Sequence, residues 1–398
     1  MLQLDAVQTL ALAGVALFLG YGLCRWIPML GKYNLPPPVI GGLVFAIAVW
    51  IAHARDTTLF VLDTSLQTPL MIAFFTTIGM NASLRLLRIS GTQVMIFLGM
   101  ASAFAVFQNL LGMAVAVGFD LHPLFGVLAG STTLTGGPAT GLAFAPLFEE
   151  AGVTGAESIA VASAMAGIVL GGLVGGPAIT ILIRRFGLSP AREGAHATPD
   201  FETSGGAAQT EAVREFNALK AIVTLLIAMW LGAWVSGWIS TTGITLPAYV
   251  GAMLVGAAIH NLDDRTGWIG LPVSTTDLIG NVCLALFLSV ALMNLRLWEL
   301  AGLALPLILN LVLQVGAVAA FCVVVYRVMG RDYDAAIMGG GFIGFMLGTT
   351  ANAMAVMRAL VERYGPAPRA FLVAPLVGAF FIDFTNALII TGFINFWS

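Results

Sequence analysis

The chain has 398 residues, of which 59% are hydrophobic and 9% charged, and its formal net charge is −3. Soluble proteins carry about 25% charged residues, so a soluble globular protein is excluded because it would lack a polar surface. No basic tract indicates nucleic-acid binding. The apolar residues recur in runs of roughly 20, the length that a helix needs to cross a bilayer, which predicts an all-α polytopic membrane protein.

The apolar runs predict ten membrane-spanning helices, interrupted once by a polar stretch. That stretch, residues 184–217, is rich in Gly, Ala, Thr, Glu and Arg and predicts a mobile linker. The predicted spans are residues 7–23, 38–53, 69–84, 94–117, 158–183, 218–240, 246–260, 277–295, 302–326 and 369–393.

Two further apolar stretches, residues 124–146 and 335–357, do not have the pattern of ordinary spans. Each concentrates Gly, Ser, Thr, Pro or Asn in its middle, which leaves two short helical arms around a break. Irregular backbone is tolerated at membrane depth only where protein or a water-filled cavity surrounds it. We therefore predict that both stretches are re-entrant hairpins.

The distribution of basic residues predicts the orientation. If the N-terminus is outside and neither hairpin crosses, only Arg55 and Arg296 of the 17 Lys and Arg residues face outward. If both hairpins crossed, the basic residues would divide almost equally between the two sides. Basic residues concentrate on the cytoplasmic side of membrane proteins. We therefore predict that both termini are periplasmic and that the linker is cytoplasmic.

Short sequence matches recur in the same order in the two halves of the chain. Gln108 matches Gln314, and Leu84-Arg85-Leu86 resembles Leu295-Arg296-Leu297. Five spans per half is an odd number, so the second half is expected to be inverted in the membrane, as in many secondary transporters. We predict a first repeat over residues 1–183 with hairpin 124–146, the linker 184–217, and a second, inverted repeat over residues 218–398 with hairpin 335–357.

The two hairpins carry most of the candidate binding residues. Half-helix N-termini present free N–H groups and a positive dipole end to a carboxylate, while carbonyls at a break suit Na⁺. The alternative is that the small residues only let helices pack closely. The predicted solute contacts are Ser131, Thr132, Thr133, Thr135, Gly136, Gly137, Thr140, Thr349, Thr350, Asn352 and Asp383.

Asp383 lies in the middle of the last predicted span, with apolar residues on both sides. A carboxylate at that depth is costly and indicates function: a cation ligand, a proton carrier or a partner for an amino group. Asn386 follows three residues later on the same side of the helix. We predict that Gly348, Thr349, Asp383 and Asn386 bind Na⁺. No other metal site, cofactor or catalytic constellation is predicted, and the chain is not expected to be an enzyme.

The chain resembles the bacterial glutamate:sodium symporter family over nearly its whole length. The likeness is carried by residues 33–42, 69–79, 128–131, 170–177, 297–301, 332–336 and 378–386. It implies Na⁺-driven uptake of glutamate, or of a related small acidic amino acid or dicarboxylate, by a homodimer in the bacterial inner membrane. It also implies two inverted five-span domains with re-entrant loops. A proton-coupled organic-anion transporter and a passive channel remain the alternatives.

Overall fold

The computed structural model describes residues 2–57, 60–85, 91–190, 211–241, 246–300 and 302–397. Most of the predicted linker 184–217 therefore lies outside the described residues. The chain folds into two compact units. Unit 1 takes its residues from 1–85 and 208–302, and unit 2 from 86–207 and 303–398.

Unit 1 is a helical unit with one short parallel strand pair, in which Leu2 pairs with Phe60 and Leu4 with Leu62. A capping box starts its first helix: Asp5 accepts from the Gln8 N–H, and the Gln8 side chain accepts from the Asp5 N–H. Its elements are β1 (Leu2–Leu4), α1 (Ala6–Trp26), α2 (Pro28–Lys32), α3 (Pro37–His53), β2 (Phe60–Leu62), α4 (Gln67–Met80), α9 (Glu211–Ser240), α10 (Ala248–Thr266), α11 (Val273–Met293) and a 3₁₀ turn (Leu297–Leu300).

Glycines bring the helices of unit 1 into backbone contact. A Cβ atom on Gly41 of α3 would collide with the Ala16 carbonyl of α1, and one on Gly79 of α4 would collide with the Met253 backbone of α10. Small residues at helix crossings let backbones approach closely, which strengthens packing where the surroundings are apolar. Unit 1 is therefore held by close, continuous helix contacts.

Unit 2 is built from helices of which several are interrupted. Pro123 starts its second helix at N1, where the missing N–H costs no intrahelical hydrogen bond. Its elements are α5 (Gly91–Gly118), α6 (Pro123–Val127), α7 (Gly137–Glu150), α8 (Ala156–Phe186), α12 (Ala304–Val328), α13 (Tyr333–Met346), α14 (Thr350–Tyr364), α15 (Pro368–Leu376) and α16 (Ile382–Trp397).

Two helix breaks lie inside the stretches that were predicted to be broken. Break 1, residues 128–136, starts with a π-helical turn in which Gly130 has non-helical torsion angles (φ −103°, ψ −127°). Break 2, residues 347–349, separates α13 from α14. A third irregularity, the π-helical turn Val377–Phe381, separates α15 from α16. That the first two segments re-enter the membrane from one side stays a prediction.

The helices fit a polytopic membrane protein. Every predicted span coincides with a helix or, for 369–393, with the pair α15 and α16. The full count of ten spans stays a prediction. The described helices that are both long and apolar enough to cross a membrane are Ala6–Trp26, Gly91–Gly118, Ala156–Phe186, Val213–Ser240, Val273–Met293 and Ala304–Val328.

Candidate functional site

Three buried asparagines from different helices of unit 2 hold break 1. Asn109 of α5 accepts from the Ser131 N–H through Oδ1 at 2.9 Å. Asn310 of α12 donates from Nδ2 to the Ala129 carbonyl at 2.7 Å, and Asn386 of α16 donates to the Ser131 carbonyl at 2.9 Å. Backbone groups freed by a helix break need such partners at membrane depth. The amides therefore fix the shape of break 1.

Glutamines tie break 2 to the same helices. Gln108 of α5 donates from Nε2 to the Met346 carbonyl at 2.9 Å, and Gln314 of α12 donates to the Gln108 carbonyl at 2.7 Å. The Gln108 Oε1 atom accepts from the Thr135 hydroxyl at 2.6 Å. A single side chain, Gln108, therefore joins break 1 to the end of α13, immediately before break 2.

The two breaks also meet directly. Gly137, the first residue of α7, has φ +70°, and a Cβ atom there would lie 3.6 Å from Thr349 Cγ2 and 3.7 Å from the Gly348 carbonyl oxygen. Thr349 is the N-cap of α14 and accepts from the Asn352 N–H at 3.5 Å. The N-termini of α7 and α14 therefore face the same place. Helix N-termini present N–H groups and a positive dipole end, which attract an anion. In their first turns, Pro138 supplies no N–H group and the Asn352 N–H is bonded to Thr349, so the remaining N–H groups are the candidates.

Around the breaks, unit 2 contains several buried polar atoms without a hydrogen-bond partner. Polar atoms buried in a protein are nearly always hydrogen-bonded, and a group of exceptions indicates a place for a ligand or ion. Most of these atoms are oxygens, the ligand type that hard cations prefer. They include Asn109 Nδ2, Ser131 Oγ, Thr132 Oγ1, Ser163 Oγ, Gln314 Oε1, Asn352 Oδ1 and Asn386 Oδ1.

Some of the predicted solute contacts have a side-chain oxygen without a hydrogen-bond partner, whereas the hydroxyls of others are already hydrogen-bonded within the protein. Ser131, Thr132 and Asn352 keep a buried oxygen without a partner. The Thr133 hydroxyl instead donates to the Leu128 carbonyl at 2.8 Å, and the Thr350 hydroxyl donates to the Gly378 carbonyl.

The remaining predicted contacts of break 1 lie at the start of α7. Gly136 packs so closely against the Thr140 side chain and the Thr132 carbonyl that it has no room for a Cβ atom. The Thr135 hydroxyl lies between Gln108 and the Met346 sulfur, which is 3.4 Å away. These residues form the protein surface beside the point where the N-termini of α7 and α14 meet.

The four predicted Na⁺ ligands fall in two places. Asn386 contacts break 1 through Ser131, while Gly348 and Thr349 contact Gly137. Asp383 is half-buried in α16, one turn before Asn386. Among the described residues, its carboxylate has no hydrogen-bond or ion-pair partner.

Two features of the site were not predicted. Ser163 lies in the middle of α8, and its buried hydroxyl has no partner; a single hydroxyl in an otherwise apolar span is a weak signal that could have indicated it. The π-helical turn Val377–Phe381, one turn before Asp383, follows Pro375. The proline removes one helical hydrogen bond, but it does not by itself predict a π turn.

Comparisons with known proteins identify the family of the chain. The sodium/glutamate symporter family matches residues 2–366. A sodium/glutamate symporter of Escherichia coli is 42% identical over 395 residues, covering 98% of this chain and 97% of that protein. A sodium/glutamate symporter of Haemophilus influenzae is 38% identical over 385 residues, covering 96% and 95%. The chain belongs to the sodium/glutamate symporter family.

Proposed function

We propose that this protein imports glutamate, or a related small acidic amino acid or dicarboxylate, together with Na⁺ across the bacterial inner membrane. The observation that carries the proposal is the meeting of two helix N-termini, at Gly137 and Thr350, beside buried oxygens that lack partners. Family membership supports both the solute and the ion. Symport breaks no covalent bond, so the protein is a transporter and not an enzyme, and Na⁺ acts as the coupling ion without a cofactor.

A dicarboxylate such as glutamate brings two carboxylates to the site, and the site must bind both of them without a basic side chain. No Lys or Arg lies in the described parts of break 1 or break 2. We assign one carboxylate to the N–H groups at the start of α7 and the other to those at the start of α14. The hydroxyls of Ser131 and Thr132 are free to donate to the solute. The Asn352 Nδ2 group already donates to the Ile168 carbonyl at 2.8 Å, so its free Oδ1 atom can only accept, for example from the amino group of the solute.

A Na⁺ site is supported beside break 1. The unpartnered atoms Ser131 Oγ and Asn386 Oδ1 belong to residues that are already joined by a 2.9 Å hydrogen bond. Hydroxyl and amide oxygens suit a hard cation. Gly348 and Thr349 would then face the solute or a second ion at the start of α14. Asp383 has two candidate partners, the coupling Na⁺ and the amino group of the solute.

The composition of the units supports an inverted repeat. Unit 1 takes residues 1–85 from the first half and 208–302 from the second, and unit 2 takes the remainder of each half. Each half therefore supplies equivalent segments to both units. We keep the division into repeats 1–183 and 218–398 around the linker 184–217, with re-entrant hairpins in unit 2. We likewise propose that both termini are periplasmic and that the protein is a homodimer.

Uptake into proteoliposomes tests the function. We expect glutamate to accumulate when an inward Na⁺ gradient is imposed. Replacing external Na⁺ by choline at constant pH should abolish accumulation. Unchanged uptake in choline would contradict Na⁺ coupling, and its collapse by a protonophore would then identify proton coupling. Equilibration without accumulation in every gradient would indicate a passive channel.

A further inference from the structure

An apolar groove lies between α5 and α12 in unit 2, and none of the residues that line it is a predicted solute or Na⁺ contact. It has a volume of about 430 Å³, within the roughly 300–1,000 Å³ typical of ligand pockets. Only alanine, valine and phenylalanine line it, among them Ala103 and Phe107 of α5 and Ala320 and Val324 of α12. Phe107 and Val324 are themselves exposed, so the groove is open along its side.

The groove and the basic residue beyond its end, Arg327, together extend along α12 over about the depth of one membrane leaflet. Ala317, the lining residue of α12 farthest along the helix from Arg327, lies in the middle of α12, and Arg327 lies in the last turn of that helix. Ten residues of α-helix rise about 15 Å, which is half of the roughly 30 Å hydrocarbon core of a bilayer. An occupant that runs from the membrane surface to the middle of the bilayer would fill this length.

A basic side chain marks the surface end of the groove. Arg327 follows Ala320 by two helical turns and therefore lies on the same edge of the groove. Arg327 is exposed, and within the part of the chain that the structure describes its guanidinium has no hydrogen-bond or ion-pair partner. A guanidinium at this position binds phosphate well, because its planar donors match phosphate oxygens.

We propose that the groove binds one acyl chain of an anionic phospholipid, whose phosphate pairs with Arg327. The apolar lining of the groove matches the acyl chain of such a lipid, and Arg327 at the surface end matches its anionic headgroup. The bound chain would end near Gln314, one turn before Ala317, and Gln314 donates to the Gln108 carbonyl. The lipid would therefore brace the two helices, α5 and α12, that hold both breaks.

Lipid-dependent stabilisation of the purified, detergent-solubilised protein tests the proposal. A ligand that binds only the folded state raises its melting temperature as the ligand concentration increases. The melting temperature is measured during titration with phosphatidylglycerol or, as the zwitterionic comparison, phosphatidylcholine. We expect phosphatidylglycerol to give the larger rise for the wild type.

Substitutions then distinguish the contribution of the acyl chain to binding from that of the headgroup. Ala320→Phe fills the groove and should remove most of the rise with both lipids. Gly316→Phe adds the same side chain to the same helix where no atom lies within 4 Å, and should keep the rise. Arg327→Gln should abolish the excess of phosphatidylglycerol over phosphatidylcholine, whereas Arg265→Gln in unit 1 should not.

Three results would overturn the proposal: a wild-type response in Ala320→Phe, a retained phosphatidylglycerol excess in Arg327→Gln, and equal responses of the wild type to the two lipids. A change from dimer to monomer in Ala320→Phe would assign the groove to a second copy of the chain. If Ala320→Phe does not fold, Ala103→Phe fills the groove from α5. Gly99→Phe, at an open position of the same helix, is then its control.

Discussion

Unit 1 and unit 2 place their polar groups differently. In unit 1 most polar groups at the end of α4 are paired: Ser83 donates to Asp264 at 2.7 Å, and the Leu84 N–H donates to Asn261 at 2.8 Å. Asn81 keeps one buried oxygen without a partner there. In unit 2 the polar groups lie at helix breaks, and many keep a buried atom without a partner. This difference in polar groups indicates that the two units have different roles. Paired polar groups and close backbone contacts stabilise unit 1, while unpaired oxygens at broken backbone give unit 2 a place for a solute and an ion.

The largest expected effect is the loss of close packing in unit 1. Gly79→Leu puts a side chain into the Met253 backbone; backbone cannot move aside as a flexible side chain can. Overpacking a core costs about 1–3 kcal/mol and occasionally more. We expect a sharp fall in the yield and melting temperature of the purified protein. Gly14→Leu in α1, where no atom lies within 4 Å of the added Cβ, is the matched control. Equal melting temperatures for both variants would contradict close packing at Gly79.

The next effect is on solute affinity in unit 2. Ser131→Ala combined with Thr132→Val removes the two hydroxyls of break 1 that have no hydrogen-bond partner within the protein and that we assign to the solute. Losing a hydrogen bond to a charged group costs about 1.5–3 kcal/mol, or roughly 10- to 150-fold in affinity. We expect a rise of that size in the glutamate concentration for half-maximal uptake. Thr391→Val removes a hydroxyl that donates to the Ala387 carbonyl of its own helix, and should leave the affinity unchanged. Wild-type affinity in the double variant would show that the break hydroxyls only pack.

The smallest effect is a pH-dependent contribution to stability in unit 1. The Asp263 carboxylate accepts the N–H groups of Ile269, Gly270 and Leu271 at 2.7–3.0 Å. Burial raises the pKa of Asp263, but these hydrogen bonds outweigh it and hold the pKa below its ordinary value. Stability gained from a lowered pKa is present above the unfolded pKa and is lost as the pH falls through the folded pKa.

Comparing Asp263→Asn with the wild type measures this contribution. We expect the wild type to melt a few degrees higher at pH 6, and the difference to shrink as the pH falls below about 4. Glutamate uptake at neutral pH should not change. A difference in melting temperature that is constant with pH would show that the hydrogen bonds do not depend on the charge of Asp263.

The helix breaks could be predicted because they depend on local residue content. Gly137 has a positive φ, which favours glycine. Gly130 has non-helical torsion angles, and both glycines lie in the stretch that the concentration of small residues indicated. The partners of the site residues could not be predicted. The hydrogen bond between Asn386 and Ser131 joins residues 255 positions apart, which depends on tertiary packing and not on any local pattern.

The combination of segments into two compact units could not be predicted from the sequence either. The repeated matches predict two consecutive halves, but each compact unit combines a segment from both. Hydrophobic periodicity identifies a helix and its length, and gives no information on which distant helix will pack against it. The Na⁺ prediction grouped Asp383 with Gly348 and Thr349 by residue type. No described contact joins Asp383 to either of them, so its partner stays a prediction.

The dependence of glutamate uptake on Na⁺ concentration measures whether unit 2 holds the coupling ion. Asn386 in unit 2 and Asn81 in unit 1 each keep a buried side-chain oxygen without a hydrogen-bond partner, which makes them a matched pair. Removing a ligand from the Na⁺ site beside break 1 should raise the Na⁺ concentration for half-maximal uptake at least about tenfold. We expect that rise for Asn386→Ala and wild-type Na⁺ dependence for Asn81→Ala. An unchanged Na⁺ dependence in Asn386→Ala, or an equal rise in Asn81→Ala, would contradict the placement of the ion in unit 2.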